Sequence, residues 1–143
     1  MFSHFAQSRL VSRATKVMII SLAFLWNGQL LAETDEGLSK EYSDCMNKVE
    51  NTTSGMLQCG GEELDRQDAR LNDAYKKLMS ELSPDRKKAL LKAQRAWIKF
   101  REANCEYWFD PHGGTAARMN ASGCLLTMTA ARTKELEGML EGL

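Results

Sequence analysis

The chain has 143 residues, of which 43% are hydrophobic and 27% are charged. This length supports one domain with one modest core, so additional covalent constraint would help it to stay folded. Its 19 basic and 19 acidic residues leave no net charge, which disfavours a nucleic-acid-binding protein because such proteins usually present a basic face.

The N-terminal segment has the pattern of a secretory signal peptide. Three basic residues precede an apolar run over residues 17–26, and no acidic residue occurs before Glu33. The apolar run is much shorter than the roughly 20 residues that a transmembrane helix needs. We therefore expect a cleaved signal peptide over residues 1–32 and an exported, periplasmic single domain over residues 33–143, without a stable membrane anchor. Cleavage would remove those three basic residues, so the mature chain over residues 33–143 would have a net charge of about −3.

Helical periodicity predicts two helices before residue 83. A short first helix is predicted over residues 41–49, because its apolar side chains share one side. A second helix is predicted to start at a threonine cap at position 52 or 53, and its apolar stripe continues to Leu82. The adjacent glycines at 60 and 61 cost about 2 kcal/mol relative to alanine inside a helix. Either this helix begins near Glu62, or close packing compensates for the glycines.

A third helix is predicted from about Pro84 to Tyr107 or Trp108. Serine at 83 is a favoured N-cap, proline suits the first helical position, and an acid in the first turn complements the helix dipole. One stripe of this helix contains Leu90, Gln94, Trp97, Arg101 and Cys105, and it is widened by Ile98 and Phe100. The stripe is expected to face protein, so its amide and its guanidinium need buried partners.

The chain reversal near residue 83 predicts an antiparallel hairpin of the second and third helices. If both helices rise equally per residue, the numbers of two residues that face each other across the reversal sum to about 168. Asp68 is then expected to lie opposite Arg101. The same arithmetic places Asn72 near Trp97 and Tyr75 near Gln94. We predict a structural polar network; the alternative is that Arg101 extends to solvent. Its predicted members are Asp68, Asn72, Tyr75, Gln94, Trp97, Arg101 and Arg132.

A run of helix breakers over residues 110–114 is predicted to end the third helix. The aromatic residues just before it either pack or contact a partner. The candidate partner contact comprises Trp108, Phe109, Asp110 and His112. A last helix is predicted over residues 117–140. The predicted fold is therefore all-α, a small antiparallel helical bundle with one short and three longer helices.

Four cysteines lie beyond the predicted signal peptide: Cys45, Cys59, Cys105 and Cys124. In an oxidising compartment, an even number of cysteines predicts two disulfides. Three pairings are possible, and we favour Cys45 with Cys59 and Cys105 with Cys124, since each bond then joins consecutive segments. A four-thiolate zinc site is the alternative, but the chain has no CxxC spacing.

The sequence gives little support to catalysis. His112 is the only histidine after the predicted cleavage, which excludes a three-histidine metal site, and no nucleophile motif surrounds it. Four carboxylates cluster between Glu62 and Asp68, but a charge run on a helix is usually a solvated face. No nucleotide-binding motif occurs. We predict that the protein is not an enzyme and has no cofactor or metal.

Three ordered runs of residues match those of a known family. They are Asp68-x-x-Leu-Asn-x-x-Tyr-x-x-Leu-Met-x-x-Leu82, Ala93-Gln-Arg-Ala-Trp-Ile-x-Phe-Arg-x-x-x-Cys105, and Cys124-x-x-x-x-Thr-x-x-Arg-x-x-x-Leu136. Together with the four interleaved cysteines, they resemble the LprI-type lysozyme-inhibitor domain. The resemblance implies a small exported helical domain, in a family whose named member inhibits lysozyme and whose other members are mostly of unassigned activity, so the implied protein partner is lysozyme or another exported protein. A mildly acidic mature chain is compatible with a cationic partner such as lysozyme.

Two hypotheses of function follow from these observations. The first is a periplasmic binding protein that inhibits lysozyme without covalent chemistry, by covering its sugar-binding cleft. The second is an envelope structural or adaptor protein that binds another exported protein. An enzyme ranks third, because it would need a concave pocket with at least two convergent titratable groups.

Overall fold

A computed structural model describes residues 37–143 of the chain. It contains four helices: α1 (Lys40–Lys48), α2 (Thr53–Glu81), α3 (Pro84–Tyr107) and α4 (Gly114–Glu141). Within residues 37–143 there is no strand, so the predicted all-α fold of one short and three longer helices is confirmed. The predicted signal peptide over residues 1–32 lies outside the described residues. In the described part, no helix is both long enough and apolar enough to cross a membrane.

The helix ends follow local capping chemistry. Ser39 caps α1, since its Oγ accepts a hydrogen bond from the Tyr42 backbone N–H over 3.1 Å. Proline occupies the first position of α3, as predicted. The fourth helix begins at Gly114, three residues before the predicted start, because the preceding turn is tight. In that turn, the His112 N–H donates to Asp110 Oδ1 over 2.8 Å and the Gly113 N–H donates to the Asp110 carbonyl over 3.0 Å.

The second helix continues through both of its adjacent glycines. Gly60 is buried, and a Cβ built there would lie 3.6 Å from Ser122 Oγ on α4. Gly61 faces open space, with no atom within 4 Å of a Cβ. Gly60 is therefore buried against α4 with room for ordinary van der Waals contact, and the later helix start at Glu62 is excluded.

Replacing Gly61 by alanine is expected to raise the free energy of unfolding by about 0.5–1 kcal/mol, because the exchange removes the entropic cost of glycine inside a helix. Gly114→Ala is the matched control. Its position also has open space, but its φ of +63° is unfavourable for alanine, so we expect a loss of about 1 kcal/mol. Urea denaturation of both variants measures the difference, and a destabilised Gly61→Ala variant would contradict the account of α2.

The fourth helix is the main neighbour of both α2 and α3. It packs along much of α2 and over a smaller area of α3, whereas α2 and α3 themselves make few backbone contacts. The antiparallel reversal is present and brings Arg101 of α3 to Asp68 of α2, but α4, not α3, is the neighbour that lies closest to the α2 backbone. Small buried side chains on α4 allow this close approach to α2. They are Ala117, Thr129, Ala130 and Thr133.

The apolar core lies where the C-terminal half of α2, the start of α3 and the C-terminal end of α4 meet. Its buried members are Leu71, Ala74, Leu78, Leu90 and Leu136. Half-buried side chains pack around them, including Tyr75 and Trp97. Burial of leucine side chains in this cluster supplies about 1.5–3 kcal/mol each.

The predicted stripe of α3 is confirmed along its centre and wrong at its edges. Leu90, Gln94 and Cys105 are buried, and Trp97 and Arg101 are half-buried. The two residues predicted to widen the stripe are exposed instead, Ile98 by 37% and Phe100 by 61%. Because α3 packs mainly on one neighbouring helix, only a narrow stripe is covered.

Two disulfides join consecutive segments of the fold. Cys45 is bonded to Cys59, which links α1 to α2, and Cys105 is bonded to Cys124, which links α3 to α4. The favoured pairing is confirmed. Because all four sulfurs form disulfides, the alternative zinc site made of four thiolates is excluded.

Candidate functional site

Three exposed aromatic residues follow one another where α3 ends. Tyr107 is 80% exposed, Trp108 48% and Phe109 50%. We call these three residues the aromatic tip. The Tyr107 and Trp108 rings meet edge to face, with 5.5 Å between their centroids. Adjacent exposed aromatics of this size are unusual on a protein surface that contacts only water, so the tip is the candidate binding surface.

The disulfide between α3 and α4 fixes the position of the tip. Cys105, 3% exposed, lies two residues before it and is bonded to Cys124. Met128 packs its Sδ against the bond, 3.7 Å from Cys105 Sγ and 3.8 Å from Cys124 Sγ. A cleft of about 370 Å³ opens between the tip and α4. Its walls are Trp108, Asn120, Gly123, Cys124, Thr127 and Met128.

The segment that carries the tip is acidic in sequence. Residues 102–113 contain Glu102, Glu106 and Asp110, and no lysine or arginine. All three carboxylates are exposed, as is His112. The residues of the predicted partner contact, 108–110 and His112, thus lie on one exposed turn. An exposed aromatic surface with several carboxylates is complementary to a cationic protein surface.

Two arginines flank the indole ring of Trp97 in the interior. Arg101 Nη1 donates to Thr129 Oγ1 over 2.9 Å and contacts Asp68 Oδ1 at 3.4 Å. Arg132 Nε donates to Gln94 Oε1 over 3.0 Å. The guanidinium carbons lie 4.9 Å (Arg101) and 6.0 Å (Arg132) from the ring centroid.

The contact between Asp68 and Arg101 is the one that the helix register predicts. Arg101 has 18% of its side chain exposed, so it does not extend to solvent. Two predicted members of the network lie elsewhere. Asn72 is exposed, and Tyr75 packs against the leucine cluster.

The network depends on α4 more than the sequence reasoning expected. Thr129, which is fully buried, and Glu135, which accepts from Arg132 Nη1 over 2.6 Å, were not among its predicted members. Both come from α4, whose side chains lie between α2 and α3. The threonine of the Cys124-x-x-x-x-Thr run was the signal that pointed to it.

Replacing Thr129 by valine is expected to lower the free energy of unfolding by about 1–2 kcal/mol. The exchange keeps the shape of the side chain but removes the acceptor of Arg101 Nη1 in a buried place. Thr127→Val on the exposed side of the same helix is the control, and we expect a change within about 0.5 kcal/mol. Equal effects of the two exchanges in urea denaturation would refute the buried role of Thr129.

Glu63 is fully buried, which corrects the prediction of a solvated acidic face on α2. Glu62 and Asp65 are exposed as expected. The Glu63 carboxylate accepts hydrogen bonds from the Ser39 backbone N–H at 2.8 Å, from the Ser39 hydroxyl, and from Arg66 Nε and Gln67 Nε2, both at 2.7 Å. This set of donors holds the segment before α1 against α2.

The donors around Glu63 also control its ionisation. Burial by itself would raise the pKa of Glu63, but the hydrogen bonds from Ser39, Gln67 and Arg66 outweigh burial and hold the pKa below its ordinary value. The carboxylate stays ionised, and its oxygens are occupied by donors. This arrangement suits a structural role and leaves no free base for acid–base chemistry.

Metal-ligating side chains are the remaining feature of the described residues. No group of three or more histidine, cysteine, aspartate or glutamate side chains in residues 37–143 is placed to hold a metal ion. His112 lies on the exposed turn next to the aromatic tip.

Comparison with known proteins identifies relatives of the chain. Residues 45–136 match the family model described as lysozyme inhibitor LprI. An uncharacterized protein of Rhizobium meliloti (strain 1021) is 34% identical over 97 residues, which cover 58% of this chain and 70% of the relative. No solved structure matches the chain significantly.

Proposed function

Because the chain belongs to the LprI family of lysozyme inhibitors, we propose that it is an exported binding protein that inhibits lysozyme without covalent chemistry. The proposal includes a signal peptide over residues 1–32, a periplasmic domain over residues 33–143 and no catalytic activity of its own. The observation that supports it beyond family membership is the exposed aromatic tip on a segment that contains three exposed carboxylates.

The aromatic tip suits the sugar-binding cleft of a lysozyme. Tryptophan and tyrosine are enriched at protein interfaces because they bury a large area at low entropic cost and retain a polar atom. Trp108 and Phe109 sit on a turn that projects beyond the end of α3, and the disulfide between Cys105 and Cys124 limits their movement. A rigid projecting turn loses little conformational entropy on binding.

The carboxylates near the tip suit a cationic enzyme. Glu102, Glu106 and Asp110 are exposed and have no basic residue between them in sequence. They would contact the basic rim of lysozyme, whereas the aromatic rings would occupy the cleft, where the enzyme's own carboxylates would repel acids. Such charge complementarity raises the association rate and makes binding sensitive to salt.

A lysis assay tests this proposal. Purified protein is titrated against a c-type lysozyme acting on bacterial cell walls, and the lysis rate is expected to fall to a stoichiometric end point. The double variant Trp108→Ala/Phe109→Ala is expected to require at least about tenfold more protein for the same inhibition, because truncating central aromatics of an interface costs more than about 1.4 kcal/mol.

Ile98→Ala is the matched control, since it also removes an exposed hydrophobic side chain from α3 but lies outside the tip. We expect it to inhibit like the wild type. An unchanged lysis rate at large molar excess of the wild-type protein would reject inhibition of that lysozyme. Capture of a different exported protein, lost in the tip variant, would then favour the adaptor function.

A further inference from the structure

A second cleft, of about 260 Å³, lies between the first half of α3 and the last third of α4. Its walls are mostly apolar and are formed by Leu82, Ala89, Leu90, Ala93 and Met139. It is separated from the aromatic tip by about 15 residues of α3, or roughly 22 Å along the helix. The cleft is therefore a different surface from the one proposed to bind lysozyme.

An arginine with an unpaired nitrogen forms part of the lining of this cleft. Arg132 is 6% exposed. Its Nε donates to Gln94 and its Nη1 to Glu135, but its Nη2 is buried and has no hydrogen-bond partner. A buried N–H group without an acceptor is costly, so an acceptor that enters the cleft would gain a donor that nothing else uses.

A second arginine lines the same cleft. The Arg86 side chain is exposed, and it forms no ion pair among the described residues. Glu135 is the one acidic residue in the lining. Two guanidinium groups and one carboxylate leave a net charge of about +1 around apolar walls. This combination suits a monoanion with an apolar body better than a phosphate dianion or a neutral lipid.

We propose that this cleft binds a small amphipathic carboxylate. The apolar body would lie against Leu90, Ala93 and Met139, and the carboxylate would accept hydrogen bonds from Arg132 Nη2 and Arg86. Since Nη2 is covered before binding, entry requires a side-chain movement at the arginine. Glu135, which is paired with Arg132 Nη1 at 2.6 Å and has 52% of its side chain exposed, has solvent on one side into which it would move.

Octanoate is a suitable probe, with octanol and octylamine as controls of equal chain length. Calorimetric titration of the full protein is expected to show saturable binding of octanoate, at least tenfold weaker binding of octanol, and no binding of octylamine. In ¹H–¹⁵N NMR spectra, the indole signal of Trp97, whose ring lies 6.0 Å from the Arg132 guanidinium carbon, is expected to shift, and that of Trp108 to stay.

Two variants complete the test. Arg86→Gln, on an exposed residue, is expected to weaken octanoate binding by about tenfold, because it removes one charge-assisted hydrogen bond without affecting the fold. Glu135→Gln is expected to strengthen binding, because it removes the competing carboxylate. Equal binding of octanol and octanoate, a shift of Trp108 alone, or unchanged affinity in Arg86→Gln would overturn the proposal. None of these results bears on lysozyme inhibition.

Discussion

Glu63→Ala is expected to lower the free energy of unfolding by about 3 kcal/mol, the largest effect of any single exchange considered. The side chain is fully buried and accepts hydrogen bonds from Ser39, Arg66 and Gln67. Removing the acceptor leaves the Arg66 charge without its ion-pair partner and leaves Gln67 Nε2 with only the Gly37 carbonyl as an acceptor. Breaking a buried ion pair typically costs 3–5 kcal/mol. We place the effect at the low end because Arg66 is partly exposed.

Glu62→Ala is the control for this prediction. Glu62 is the neighbouring residue of the same type on the same helix, but it is exposed and accepts only from Gln58. We expect a change within about 0.5 kcal/mol. Urea denaturation followed by circular dichroism measures both variants. Similar midpoints for the two variants would show that the buried carboxylate does not hold the start of α1.

The lowered pKa of Glu63 makes a further prediction about acid. Because the folded-state pKa lies below the unfolded one, the stabilisation is fully present above the ordinary glutamate pKa of about 4.5 and is lost as the pH falls through the folded value. The wild type should therefore lose stability over that window more steeply than Glu63→Gln, which carries no titrating group there. Parallel pH profiles of the two proteins would contradict this.

Removing the second disulfide is expected to have a comparable effect on stability and a larger one on binding. Its loop of 19 residues predicts a loss of about 3 kcal/mol in the double variant Cys105→Ala/Cys124→Ala. The same bond holds the end of α3, and with it Trp108 and Phe109, against α4. We expect lysozyme inhibition to weaken by at least about tenfold at temperatures where the variant is still folded.

The first disulfide provides the matched control. Cys45→Ala/Cys59→Ala opens a loop of 14 residues, so it should also cost about 3 kcal/mol. It lies between α1 and α2 and does not join the segments that carry the aromatic tip. We expect its inhibition of lysozyme to equal that of the wild type below the melting temperature. Equal loss of inhibition in both variants would indicate a general effect of stability and would contradict a specific role for the tip.

Much of the fold is predictable from the sequence because its signals are local. Helix periodicity, the Ser83-Pro84 start and the breaker run before Gly114 lie within a few residues of the elements that they define. The pair of Asp68 and Arg101 is also predictable, since both residues interrupt apolar stripes at matching distances from the reversal.

What the sequence does not predict depends on how the helices pack. Glu63 lies in a run of acidic residues, and such a run predicts a solvated helix face. It is a buried acceptor because Ser39, 24 residues away in sequence, packs against it. Phe100 is predicted to be buried because it is aromatic and close to a buried stripe. It is exposed because α4 covers only a narrow strip of α3.

The candidate site also combines residues that local sequence signals identify with an exposure that only helix packing decides. Trp108 and Phe109 can be singled out because they are aromatic residues at a helix end next to a glycine-rich turn. Whether such residues pack or remain exposed is decided by the path of the following helix. Here α4 leaves about half of each side chain exposed. The second cleft, which Arg132 and Arg86 line, has no local sequence signal, since its walls come from α3 and α4 residues about 40 positions apart.

Hydrogen exchange of the protein with and without a saturating c-type lysozyme identifies the surface that lysozyme covers. We expect slower backbone exchange over residues 102–113 in the complex and unchanged exchange over α1 and the first half of α2. Protection confined to those latter segments, or no protection anywhere at saturating lysozyme, would contradict the assignment of the aromatic tip as the lysozyme-binding surface.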